Sequence, residues 1–186
     1  MPLNDREIRP SLINYLNNAH MKPIGVIQEL PICFGNAIAD VVSINNKTLH
    51  CYEIKGETDS ISRIQHQALY YNQSFRKITL VTTTNHINYA LNSIPECWGI
   101  ILVEYKNNNS VSFKNLRKAS NNPVFSKEKA LQTLWKDELL SIAEKENIKV
   151  STKMNKNSIS SVVSSLLSTD YIGRYISSII SSRAKM

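Results

Sequence analysis

Two carboxylates and one ammonium stand at spacings that suit metal-assisted attack on a phosphate ester. They are Asp40, in Ile38-Ala39-Asp40, and the pair Glu53 and Lys55, in Tyr52-Glu53-Ile54-Lys55. Side chains alternate along a strand, so Glu53 and Lys55 share one face of a strand over 49–54 while Tyr52 and Ile54 take the other. A two-residue turn at Asn45-Asn46 pairs residues whose numbers sum to 91. Asp40 then lies opposite Cys51 and diagonal to Glu53, about 7 to 8 Å away and on the same face. The same reasoning at Gly35-Asn36 puts Glu29 diagonal to Asp40, as a fourth candidate catalytic residue. A three-residue loop at either turn would break this parity.

Three carboxylates and a lysine on one face repel unless a cation neutralises them. Mg2+ (or Mn2+) is the expected ion, because a hard cation accepts one or two carboxylates and keeps waters for a substrate oxygen. It would polarise a phosphoryl oxygen and acidify a bound water, with Lys55 orienting that water or steadying charge at phosphorus.

The elements that must position these groups follow from periodicity. Ile8, Leu12, Tyr15, Leu16 and Ala19 recur at helical spacing over 4–18, and strands are expected over 24–33, 37–44 and 49–54. A helix over 59–75, capped by Asp59 or Ser60, leads to a strand over 77–83, a short helix over 85–93 and a strand over 98–105. The stretch 106–123 is polar and reads as loop with a short strand. Beyond it, apolar stripes predict one long helix over 126–146, a second around Ile159 to Leu167 and a third over 169–183. The expected division is a core at 1–120 and a helical extension at 124–186.

Ile38-Ala39-Asp40, Tyr52-Glu53-Ile54-Lys55 and Gln67-Ala68-Leu69-Tyr70-Tyr71 resemble successive motifs of the PD-(D/E)XK nuclease superfamily. The third is similar to the QxxxY motif of its RecB-like branch. More closely, 4–103 resembles a group of small bacterial and phage-associated members, with Asp59, Arg63 and Trp98-Gly99 matching. Ala39 replaces the proline of the PD pair, a variable position that carries no ligand. The resemblance implies an α/β fold with a restriction-endonuclease-like core of order α-β-β-β-α-β, a mixed sheet flanked by helices. It implies a metal held by Asp40, Glu53 and the carbonyl of Ile54, and a nuclease acting on DNA more readily than RNA. It also marks Gln67, Tyr71 and Arg63 as substrate-contacting or supporting residues. Glu7 is either an additional metal or water-positioning acid, or a solvated first-turn glutamate that suits the helix dipole. Gln67 and Tyr71, one turn apart, equally suit packing.

Bulk properties fit this frame. The 186 residues are 42% hydrophobic and 20% charged, with no apolar run long enough to span a bilayer, so no membrane partner is expected. Three cysteines without CxxC spacing speak against a disulfide framework or structural zinc, and together with the lack of a signal sequence they predict a reducing, cytoplasmic setting. Residues 1–60 carry 5 basic and 7 acidic side chains, residues 61–186 carry 17 and 8. The basic remainder suits a polyanion such as nucleic acid. The final helices, with Lys136, Lys145, Lys149, Lys153 and Lys156, are expected either to contact phosphates, faintly like a SAP-type helix-turn-helix, or to form a homodimer. Other functions compatible with the sequence are a non-catalytic nucleic-acid or protein-binding module and an RNA-cleaving toxin or defence effector.

Overall fold

The computed structural model describes residues 2–106 and 110–184; residues 107–109, inside the polar stretch, lie outside the described residues. The first helix, α1 (Asp5–Asn17), opens with a capping box. The Asn4 side chain accepts from the Arg6 N–H at 2.9 Å, and the Glu7 carboxylate accepts from the Asn4 N–H at 3.2 Å. Six strands form one mixed sheet in sequential order: β1 (Gly25–Ile32), β2 (Ala37–Asn45), β3 (Thr48–Lys55), β4 (Lys77–Thr82), β5 (Gly99–Tyr105) and β6 (Val111–Arg117). β1 to β3 are an antiparallel meander. The connections through α2 (Ile64–Ser74) and α3 (Ile87–Ser93) make β3, β4 and β5 parallel, and β6 closes the edge antiparallel.

The sheet is covered on both faces, as its parallel strands require. α1 lays Ile8, Leu12 and Leu16 against Val41, Tyr52, Ile54, Val81 and Val103. The other face carries α2 and the four C-terminal helices, α4 (Lys127–Leu131), α5 (Lys136–Lys145), α6 (Lys156–Leu166) and α7 (Thr169–Arg183). Leu131, Leu139, Ile159, Val163, Ile172 and Ile180 belong to the same buried cluster as Val42, Ile44, Cys51 and Ile78, so the helical extension shares the sheet's core. Each such side chain contributes about 1.5–3 kcal/mol on burial. Cys33 and Cys51 are buried free thiols and Cys97 is partly buried. Among the described residues, no helix is long and apolar enough to cross a membrane.

Four local expectations are corrected. The second turn is Asn46-Lys47, because Asn45 pairs with Thr48, whose β-branched side chain extends β3 by one residue. The first hairpin closes through four residues, Cys33 to Asn36, with Cys33, Phe34 and Gly35 all at positive φ. The helix expected from Asp59 begins at Ile64, after a 3-10 turn over Ile61–Arg63, since the Asp59 carboxylate accepts from the Gly56 N–H instead of capping a helix. The long helix over 126–146 is two, broken where Trp135 is extended (φ −77°, ψ 162°). Its N–H donates to Glu138 at 2.6 Å, which starts α5 afresh.

Candidate active site

The cleft forms where β2 and β3 part. Their ladder ends at Val41 opposite Tyr52, with paired numbers summing to 93. Moving the turn by one residue changes the sum by two, so the face assignment survives and Asp40 stands level with Glu53. In an antiparallel pair, the N–H and C=O of alternate residues point together at the partner strand. At Ile54 the partner has withdrawn, and its N–H donates to Asp40 Oδ2 at 2.8 Å. The cleft beside them has a volume of about 540 Å³ and is lined by Asp5, Asp40, Glu53, Ile54, Lys55 and, from the start of α2 and the turn before it, Asp59, Arg63, His66 and Gln67.

Glu53 is 1% exposed. Its Oε1 meets Lys55 Nζ at 2.5 Å and its Oε2 meets the Tyr71 hydroxyl at 2.6 Å. The same hydroxyl lies 2.8 Å from the Ile38 carbonyl and accepts from Gln67 Nε2 at 3.3 Å. Tyr71 thus contacts Glu53 directly, and Gln67 contacts Tyr71 while also lining the cleft. Burial, then Glu53, push the Tyr71 hydroxyl far above its ordinary range, so it stays a proton donor. Burial and then the charge of Glu53 raise the Asp40 carboxyl to about 7, against the lowering effect of the Ile54 amide and Lys55.

Glu29 does not join this face. Leu30–Ala39 and Gln28–Val41 pair on either side of it, but the rung between is missing, and Glu29 has φ 52°. Its carboxylate is 70% exposed and meets Arg9 Nη1 at 3.1 Å. Glu7 is likewise turned back onto the Asn4 amide as a capping residue. Asp5, two residues earlier, lines the cleft in its place. Strand parity does not reach Arg9, whose side chain is 14% exposed and touches Asp5 (2.7 and 3.1 Å), Glu29 and Asp40 (3.5 Å). The i,i+4 spacing of Asp5 and Arg9 was its visible signal. The four histidines share no metal-ligand spacing, so His66 is expected from sequence to be structural or exposed; it lines the cleft, one turn beyond Arg63.

Asp5, Asp40, Glu53 and Asp59 line the cleft with Lys55 and Arg63, and Arg9 beside it contacts Asp5, Asp40 and Glu29, so these groups carry five formal negative charges against three positive. Among the described residues no three His, Cys, Asp or Glu side chains gather into a metal cage. Two carboxylates and a carbonyl on the free edge of Ile54 nonetheless fit a hard divalent ion that keeps much of its water.

The structure thus defines a mixed α/β protein with a helix-flanked six-stranded sheet and an acidic cleft at the parting of two strands. Its family follows from comparison. The sequence profile of Bacteriophage P4 protein cII matches residues 2–185, and the chain belongs to that family. It is 26% identical to protein cII of Enterobacteria phage P4 over 182 residues, which is 97% of this chain and 68% of that protein. Among solved structures it is similar to the SPO1766 protein of unknown function from Silicibacter pomeroyi, with a TM-score of 0.40 and 12% identity over 69% of this chain and 84% of that one.

Proposed function

We propose that this protein is a magnesium-dependent nuclease of the PD-(D/E)XK type that hydrolyses phosphodiester bonds, in DNA before RNA. The observation that carries the reading is the level placement of Asp40 and Glu53 across the parted ends of β2 and β3, with Lys55 against Glu53. The order α1-β1-β2-β3-α2-β4 supports a restriction-endonuclease-like core, and Tyr71 reaching Glu53 from α2 matches the third motif's supporting place.

Asp40, Glu53 and the Ile54 carbonyl would hold the ion. Mg2+ supplies charge to a phosphoryl oxygen and lowers the pKa of a bound water. Glu53 holds the Lys55 ammonium at the cleft, where it stabilises negative charge as water adds to phosphorus and the ester P–O bond breaks. Arg63 and His66 also line the cleft and would contact the backbone of the incoming strand.

The test is incubation of plasmid, linear duplex, single-stranded DNA and RNA with the protein in Mg2+ or Mn2+. Cleavage is expected in metal and not in EDTA. Asp40→Asn and Lys55→Ala should each lower the rate by about 10² to 10³, with folding checked by circular dichroism. Salt-sensitive binding of DNA without cleavage in any metal would mark a non-catalytic module. Cleavage confined to RNA would mark the effector reading.

A further inference from the structure

All four carboxylate oxygens that would face a metal are already held by donors of the chain itself. Glu53 Oε1 has Lys55 and Oε2 has Tyr71, while Asp40 Oδ2 has the Ile54 amide and Oδ1 has Arg9. These donors differ in how firmly they hold. The Ile54 amide is fixed in the sheet, and Lys55 and Tyr71 are buried at 2.5 and 2.6 Å from Glu53. Arg9 reaches Asp40 only at 3.5 Å.

Arg9 is anchored without Asp40. Its Nε and Nη2 donate to Asp5 at 3.1 and 2.7 Å, and its Nη1 donates to Glu29 at 3.1 Å. Breaking the Asp40 contact leaves both anchors in place and frees part of a planar, permanently charged fork beside the cleft. Guanidinium groups bind phosphate oxygens through such paired N–H donors.

We infer that Arg9 is a substrate-positioning residue that rests on Asp40 until a divalent ion displaces it, and then binds a phosphodiester oxygen of the nucleic acid. This rests on the nuclease reading above. Arg9 and the ion compete for one carboxylate oxygen, and nucleic acid draws Arg9 away from it. The ion and the nucleic acid therefore each strengthen the other's binding, and the coupling must be reciprocal. Glu29, absent from the cleft wall, acquires a part here: it holds Arg9 when Asp40 does not.

The test measures Mn2+ binding by calorimetry on the full chain, with and without a phosphorothioate DNA duplex. In the wild type, the duplex should tighten Mn2+ binding by about tenfold, a coupling of about 1.4 kcal/mol. Arg9→Gln should bind Mn2+ several-fold more tightly than the wild type without DNA, yet bind the duplex more weakly and lose the coupling. Arg9→Lys, which keeps the charge without the fork, should keep the competition with Mn2+ and still bind the duplex poorly. Glu29→Gln removes the anchor that holds Arg9 away from Asp40, so it should weaken Mn2+ binding, opposite to Arg9→Gln and by a smaller factor. Equal Mn2+ affinity and equal duplex coupling in wild type and Arg9→Gln overturn the inference while leaving the nuclease reading intact. Absence of Mn2+ binding in every variant, including Arg9→Gln, overturns both.

Discussion

Asp40 is the cleft carboxylate that burial and the charge of Glu53 shift most clearly. Its folded carboxyl sits near 7 against an ordinary value of 3.8. Below about pH 4 it is protonated in folded and unfolded chains alike, whereas between 4 and 7 only the folded protein keeps the proton. Stability from this group is therefore present at low pH and lost as pH rises through 7. Thermal unfolding in EDTA should show a declining midpoint over that window, which Asp40→Asn flattens and Mg2+ opposes at pH 8. A metal needs the ionised carboxylate, so Mn2+ affinity should fall up to tenfold for each pH unit below 7. Affinity independent of pH between 5 and 8 would refute the assignment of Asp40 as a ligand.

At the scale of elements, α7 is seated on the turn between β2 and β3, at the end of the hairpin away from the cleft. A Cβ at Gly173 would collide with the Lys47 carbonyl, so the helix approaches this turn closely only because the position is glycine. Asp170, one turn earlier, adds exposed contacts to Lys47 and Arg76, and exposed pairs of this kind contribute little. Gly173→Ala should destabilise the protein by about 1–3 kcal/mol, read as a lower denaturant midpoint. A variant within error of the wild type would show that α7 does not fix the turn. Lesser helix ends matter too: Arg183 on α7 pairs with Glu138 of α5 and stacks over Trp135, tying the break between α4 and α5 to the C-terminal helix.

Across the whole molecule, one buried cluster runs from the sheet through α2 into all four C-terminal helices. Residues on both sides of the expected division, 1–120 and 124–186, thus share this cluster. Unfolding of the full chain should be a single transition seen alike by near- and far-ultraviolet circular dichroism. Truncation after residue 123 should expose Val42, Ile44 and Ile78 and yield an aggregating or molten product. A well-folded 1–123 fragment with a cooperative transition would show instead that the helices are an independent unit.

The sequence by itself determined the order of α1 and β1 to β5 and the type of each, because helical and strand periods are local properties read over a few residues. It also placed Asp40, Glu53 and Lys55 on one face, since strand parity is unchanged when a two-residue turn slips by one position. Glu29 escaped that logic, because positive φ at a single residue removes one rung without altering the register on either side. Arg9 escaped it because, beyond its i,i+4 pair with Asp5, its partners lie on β1 and β2, and no spacing in the chain records that those meet it. The division of α4 from α5 turned on the Glu138 carboxylate capping Trp135, a competition between local hydrogen bonds that apolar spacing does not register. Tertiary structure alone decided which carboxylates share the cleft, because a strand's pairing tells which face a side chain leaves from and not which charge it meets there.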